Sequence, residues 1–109
     1  MTHHGARIDW DAIPWRDAAP GLKVKEIAAG DRRLRLVVFD TAYDRTDWCH
    51  KGHHGQVLSG RLTLMFDDGP VTLSAGDSLH IESGAAHRHQ THMAAGEEAI
   101  LFLVEDAAA

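Results

Sequence analysis

From Leu22 onward the chain is a succession of short runs in which apolar and polar residues alternate with a period of two. Leu22 and Val24, with Glu26 and Ala28 beyond them, form the first run. Arg33-Leu34-Arg35-Leu36-Val37-Val38-Phe39 forms the second and Arg61-Leu62-Thr63-Leu64-Met65-Phe66 the third. Successive side chains of a strand point to opposite faces, so this period predicts half-buried strands; an amphipathic helix would repeat its apolar positions every three or four residues. Asp67-Asp68-Gly69-Pro70 carries an Asp-Gly turn signal and Val71-Thr72-Leu73 follows it, so Arg61 to Leu73 reads as a β-hairpin. Ala75-Gly76-Asp77 turns the chain into Ser78-Leu79-His80-Ile81, Ser83-Gly84-Ala85-Ala86 turns it again, and Ala99 to Val104 closes the series as a well-buried strand. Short strands separated by short turns predict an all-β sandwich or barrel with little helix.

Residues 1–20 break this pattern. Trp10, Pro14-Trp15 and Pro20-Gly21 interrupt any period, which predicts an irregular arm lying on a barrel domain at 21–106, with Ala107 to Ala109 frayed. A chain of 109 residues builds one core and has no room for a second domain. Its formal net charge of -5 argues against an electrostatic grip on nucleic acid, which takes clustered lysines and arginines. No stretch approaches the ~20 apolar residues of a membrane span, and the first ten residues have no signal-peptide character, so no membrane association and a cytoplasmic address are expected. Cys49 is the only cysteine, which excludes an internal disulfide and leaves a filler, a ligand or a reactive group.

Histidine changes the picture. Of nine histidines, six fall into two clusters far apart in sequence: His50, His53 and His54, then His87, His89 and His92. A folded sheet can bring two such clusters together as a metal site. His3 and His4 at the terminus suit adventitious metal only.

The run from Asp47 to Gly60, Asp-Trp-Cys-His-Lys-Gly-His-His-Gly-Gln-Val-Leu-Ser-Gly, resembles the first motif of the cupin family, and Gly76-Asp77 through His87 resembles the second. Counted back from Gly60, His53 falls at the family's carboxylate or amide position, Cys49 at its second histidine and Asp47 at its first. In the second motif Gly76, Gly84 and His87 match, Glu82 replaces a proline and Thr91 a final asparagine. The resemblance covers about half the chain, and the run Trp-Cys-x-Lys-Gly-His-x-Gly is similar to a subgroup of small bacterial cupins. It implies a double-stranded β-helix, or jelly roll, with one divalent metal held by Cys49, His53 and His87, and by Asp47 if a fourth protein ligand is present. Strand parity agrees: Asp47, Cys49 and His53 share one face of a continuous strand and His50 and His54 the other, although a bulge at Gly52 would reverse the later residues relative to Cys49.

A cysteine with two histidines suits zinc or iron first, with nickel and manganese also compatible. Three protein ligands leave a coordination position for water or substrate, and thiolate makes the ion a weaker Lewis acid, which lowers the expectation of hydrolysis. His89, near His87 and on its face, is the expected proton-transfer residue. Two function classes follow: an enzyme of isomerase, lyase or dioxygenase type acting on a small-molecule ligand, or a non-enzymatic module that senses metal or ligand and presents Trp10 and Trp15 to a partner. Pairing of edge strands predicts a homodimer. Trp48 is expected to pack, Arg33 and Arg35 to face solvent, and His50, His54, His80 and His92 to lie on the surface.

Overall fold

The computed structural model describes residues 3–4, 6–44 and 47–106. Strand makes up 62% of it and helix 6%, the latter in two single-turn 3-10 segments, Trp10–Ala12 and Ala85–His87. The strands are β1 (His3–His4), β2 (Arg7–Ile8), β3 (Arg16–Ala19), β4 (Leu22–Ala29), β5 (Arg32–Asp40), β6 (His53–Phe66), β7 (Gly69–Ser74), β8 (Ser78–Ile81), β9 (Gln90–His92) and β10 (Glu98–Asp106). All pairings are antiparallel, and the main sheet runs β3-β4-β5-β10-β6-β7. The hairpin expected from Asp67-Asp68-Gly69 is present, with Phe66 opposite Gly69, and Pro70 sits on β7, an edge where its missing N–H costs no ladder bond.

One strand organises the whole. The first part of β6 lies between β10 and β8, and its last part between β7 and β9, so this single strand belongs to both walls of the curled sheet. The change occurs at a bulge. Ser59 faces Ile100 and Val57 faces Leu101, so Leu58 has no partner on β10 and stands 49% exposed. The extra residue reverses the parity: His53 and Val57 point inward before it, Leu62 and Leu64 after it. Gly60 lies just beyond with φ +77°, and a Cβ there would run into the carbonyl of Glu98.

Register places the inner face in rows across the sheet. Val24, Val37, Leu101 and Val57 form one row, all at most 3% exposed. Glu26, Arg35, Leu103 and Gly55 form the next, and Ala28, Arg33 and Glu105 the last. Leu62, Leu64, Leu73, Ile81 and Ala99 complete the buried cluster. The core is therefore apolar in its middle and ionic along one rim.

Two expectations change here. The stretch 1–20 is not wholly irregular: Arg16 and Asp17 pair with Val24 and Lys23, so β3 extends the main sheet. Around it, Lys25 donates to the Trp10 carbonyl at 2.8 Å and lies over the Trp15 ring at 4.7 Å, while the Trp10 ring meets Phe102 edge-on. Arg33 and Arg35 do not face solvent; they share the inner face with Val37, because the ionic partner that makes this favourable, Glu105, stands beside them on β10. Ala107 to Ala109 and the side chains of His3 and His4 lie outside the described residues.

Candidate metal centre

Cys49, His53 and His89 converge, each offering one ligand atom, with those atoms all within 4.8 Å of one another. Backbone pairing does the assembly. Cys49 and His89 form an isolated antiparallel bridge, with Cys49 N–H donating to the His89 carbonyl at 2.8 Å and His89 N–H returning to Cys49 at 3.0 Å. His53 opens β6 four residues on. The intervening turn is held by Gly52 N–H donating to Ser83 Oγ at 2.8 Å and by Gly84 N–H donating to the His50 carbonyl at 2.9 Å. Trp48, beside Cys49, stacks under the Arg88 guanidinium at 4.3 Å, and Arg88 is held in turn by Asp67 at 2.9 Å, so both chain segments of the bridge are pinned at their neighbours.

Each imidazole has its Nδ1 occupied, which decides what the other nitrogen does. His53 Nδ1–H donates to Glu105 Oε2 at 2.5 Å, leaving Nε2 3.6 Å from Cys49 Sγ. His89, 3% exposed, turns Nδ1–H toward the His87 carbonyl at 3.3 Å, which leaves Nε2 as its donor atom. Glu105 is itself 1% exposed and takes Arg35 at 3.2 Å and Arg33 at 3.6 Å; Glu26, 3.6 Å from both arginines, extends the chain of charges to Arg16.

These contacts set the protonation states. Burial opposes a charged thiolate, but hydrogen bonds from His53, His89 and the backbone at Lys51 bring Cys49 down to about 5. Burial likewise disfavours a charged His53, yet Cys49 on one nitrogen and Glu105 on the other raise it to about 9. Glu105, against its burial, is lowered to about 2 by His53 and Arg35. All three shifts run in one direction, favouring a thiolate–imidazolium pair backed by a carboxylate.

This donor set fits a divalent ion. With zinc–sulfur and zinc–nitrogen bonds of about 2.3 and 2.0–2.1 Å, a tetrahedral ion holds sulfur and nitrogen about 3.5 Å apart, close to the 3.6 Å between Cys49 and His53. The ion would replace the shared proton, with Glu105 retaining the hydrogen bond that aims the ring. The cluster opens on a cavity of about 580 Å³ lined by Val37, Leu62, Leu64 and Leu101 and, toward its polar parts, by Arg35, Asp47, His50 and Lys51.

The cupin domain family profile matches residues 44–104, more than half of the chain. The chain belongs to the cupin family. Solved structures agree on the fold. The polyketide cyclase RemF from Streptomyces resistomycificus superposes with a TM-score of 0.77 at 15% identity, covering 95% of this chain and 80% of that one. A sugar phosphate isomerase of the cupin superfamily from Silicibacter pomeroyi gives 0.72 at 19% identity, with 92% and 74% covered. KdgF from Halomonas sp. gives 0.69 at 19% identity, with 88% of each chain covered. No curated protein matches the chain.

Within this cupin the expected site residues separate. Cys49 and His53 come together as the first-motif count implied. His87, the expected third ligand, does not join them: it ends the Ala85–His87 turn, is exposed, and lines no part of the cavity. His89, expected as a proton-transfer residue, stands in the cluster instead, with its Nε2 turned toward Cys49 and His53. The reason lies in the turn, which keeps residue 87 out of the sheet, whereas the bridge to Cys49 draws residue 89 into it. Asp47 lines the cavity outside the ligand cluster. His54, His80 and His92 are exposed, as expected, whereas His50, also exposed, lines the cavity. Glu105 was missed, although a readable signal existed: it continues the Ala99, Leu101, Leu103 parity of a buried strand, and a carboxylate at such a position requires a buried partner.

Proposed function

We propose that this cupin binds one divalent metal ion, zinc or iron, through Cys49, His53 and His89, and uses it on a small oxygen-bearing molecule held in the cavity, in isomerase or lyase chemistry. The convergence of three metal-binding side chains at the wall of a 580 Å³ cavity carries this reading. When bound, such an ion supplies electrophilic polarisation of a carbonyl or carboxylate oxygen, and thiolate ligation tempers it away from water activation for hydrolysis. The chain's own part is positional. Glu105 fixes the His53 tautomer, the apolar inner walls exclude water, and Arg35 offers positive charge toward an anionic group. With His89 engaged, proton transfer falls to the polar residues lining the cavity, His50 first among them.

The experiment is elemental analysis of untagged protein, followed by its absorption spectrum with and without oxygen. About one zinc or iron per chain supports the reading, and iron with an oxygen-dependent spectrum redirects it to dioxygenase chemistry. Metal content unchanged in the double variant His53→Ala, His89→Ala would remove its basis. A second reading, a metal- or redox-sensing module, is favoured by one observation: Cys49 Sγ lies 3.6 Å from His53 Nε2, a contact that lowers the thiol toward the oxidation-prone thiolate. Release of metal by peroxide, reversed by a thiol reductant, would favour sensing.

A further inference from the structure

On the opposite side of β6 from His53 lies a second histidine cluster that the cavity does not use. His54 on β6 and His80 on β8 are directly opposed in the ladder, and their exposed rings stand 4.5 Å apart at 32°. Their Nδ1 atoms face each other at 2.7 Å, so the contact needs one of the two to carry a proton. The other nitrogen of His80 settles which. His80 Nε2 meets Glu82 Oε1 at 2.9 Å, so it donates its hydrogen to the carboxylate and leaves Nδ1 with a free lone pair. His54 then supplies the hydrogen between the rings.

We propose that His54 and His80 form a second, outward-facing site for a borderline divalent cation such as Zn²⁺ or Co²⁺, with Glu82 as the residue that orients His80. The arrangement has the parts of a metal site: two imidazole nitrogens facing each other at close range, and a carboxylate on the far nitrogen of one ligand, the usual device for fixing ring orientation and raising ligand basicity. Two nitrogens bound to one such ion lie about 2.9–3.4 Å apart, given metal–nitrogen bonds of about 2.0–2.1 Å. The rings at 2.7 Å need only a small opening, which solvent-exposed side chains make freely. Binding moves the His54 hydrogen from Nδ1 to Nε2 through solvent, with no net proton released, and leaves the other coordination positions to water. With two protein nitrogens this site is weaker than the inner one, and it lacks sulfur. An ion there would clamp β8 onto β6, the same pairing that seats His53 opposite Ile81.

The test uses untagged protein titrated with Co²⁺, followed by absorption and by competition with a chromophoric chelator. The expected result is two classes of site. The tighter one gives a thiolate-to-cobalt band in the near ultraviolet, and the weaker one binds after that band has saturated and adds none. His80→Ala should abolish the weaker class and leave the band intact. Glu82→Gln should weaken it about tenfold, the low end of the effect of removing a ligand's carboxylate partner. Cys49→Ser should abolish the band and leave the weaker class. Because His3 and His4 are present in every variant, binding at the terminus cannot mimic these differences. A parent protein with the inner class alone, or His80→Ala and His54→Gln variants that bind as much cobalt as the parent at the same affinity, would overturn the proposal.

Discussion

At the scale of single residues, Cys49 and Glu105 govern the chemistry from opposite ends of His53. In chelator-treated protein the alkylation rate of Cys49 should reach half its maximum near pH 5, since the thiolate persists down to that value, and added zinc should slow it sharply. A half-maximum near pH 9 would mean that the Cys49–His53 contact does not form in solution. Glu105→Gln preserves shape but removes the charge that aims the ring, and should lower zinc affinity about 10–100-fold in a competition assay. The acid limb of stability follows from the same residue. Its carboxyl is lowered from 4.5 to about 2, so its contribution is complete above about pH 4.5 and is lost as pH falls toward 2. Urea midpoints of the parent should therefore fall more steeply than those of Glu105→Gln across that window.

Among the elements, β6 carries the greatest burden, because one strand must face inward with odd-numbered residues at His53 and with even-numbered residues at Leu62. The bulge at Leu58 and the positive φ of Gly60 make that possible. Gly60→Ala places a Cβ against the Glu98 carbonyl in a backbone conformation that L-residues resist, and should cost at least about 2 kcal/mol in chemical denaturation. Leu58→Ser, at an outward-pointing residue, should change stability by less than about 0.5 kcal/mol. β4, β5, β7, β8, β10 and the Arg61 to Phe66 part of β6 were legible from alternation and turn residues, as was the hairpin at Asp67-Asp68-Gly69, whereas β3 and β9 were not. The fusion of the first-motif segment with Arg61 to Phe66 into one strand was not, since a bulge leaves no periodic signature.

For the molecule as a whole, metal binding and folding should be linked, because Cys49, His53 and His89 meet only in the folded chain. An ion present at 100 times its dissociation constant adds about 2.7 kcal/mol, and a domain of this size gains about 4–8 °C per kcal/mol. Saturating zinc should therefore raise Tm by about 10 °C or more, with no such rise in the double variant His53→Ala, His89→Ala. The all-β class, the succession of the main strands along the chain, most of the turns, and two of the three side chains of the Cys49–His53–His89 cluster were readable before folding, because alternation, turn residues and motif spacing are local properties. Tertiary structure alone decided the rest. Alternation divides β5 into two faces without saying which is inside, and the placement of Glu105 on the neighbouring β10 turned Arg33 and Arg35 inward. Spacing pointed to His87, but a helical turn removed it and a backbone bridge to Cys49 brought in His89, since which residue reaches a ligand position depends on strand pairing between segments forty residues apart.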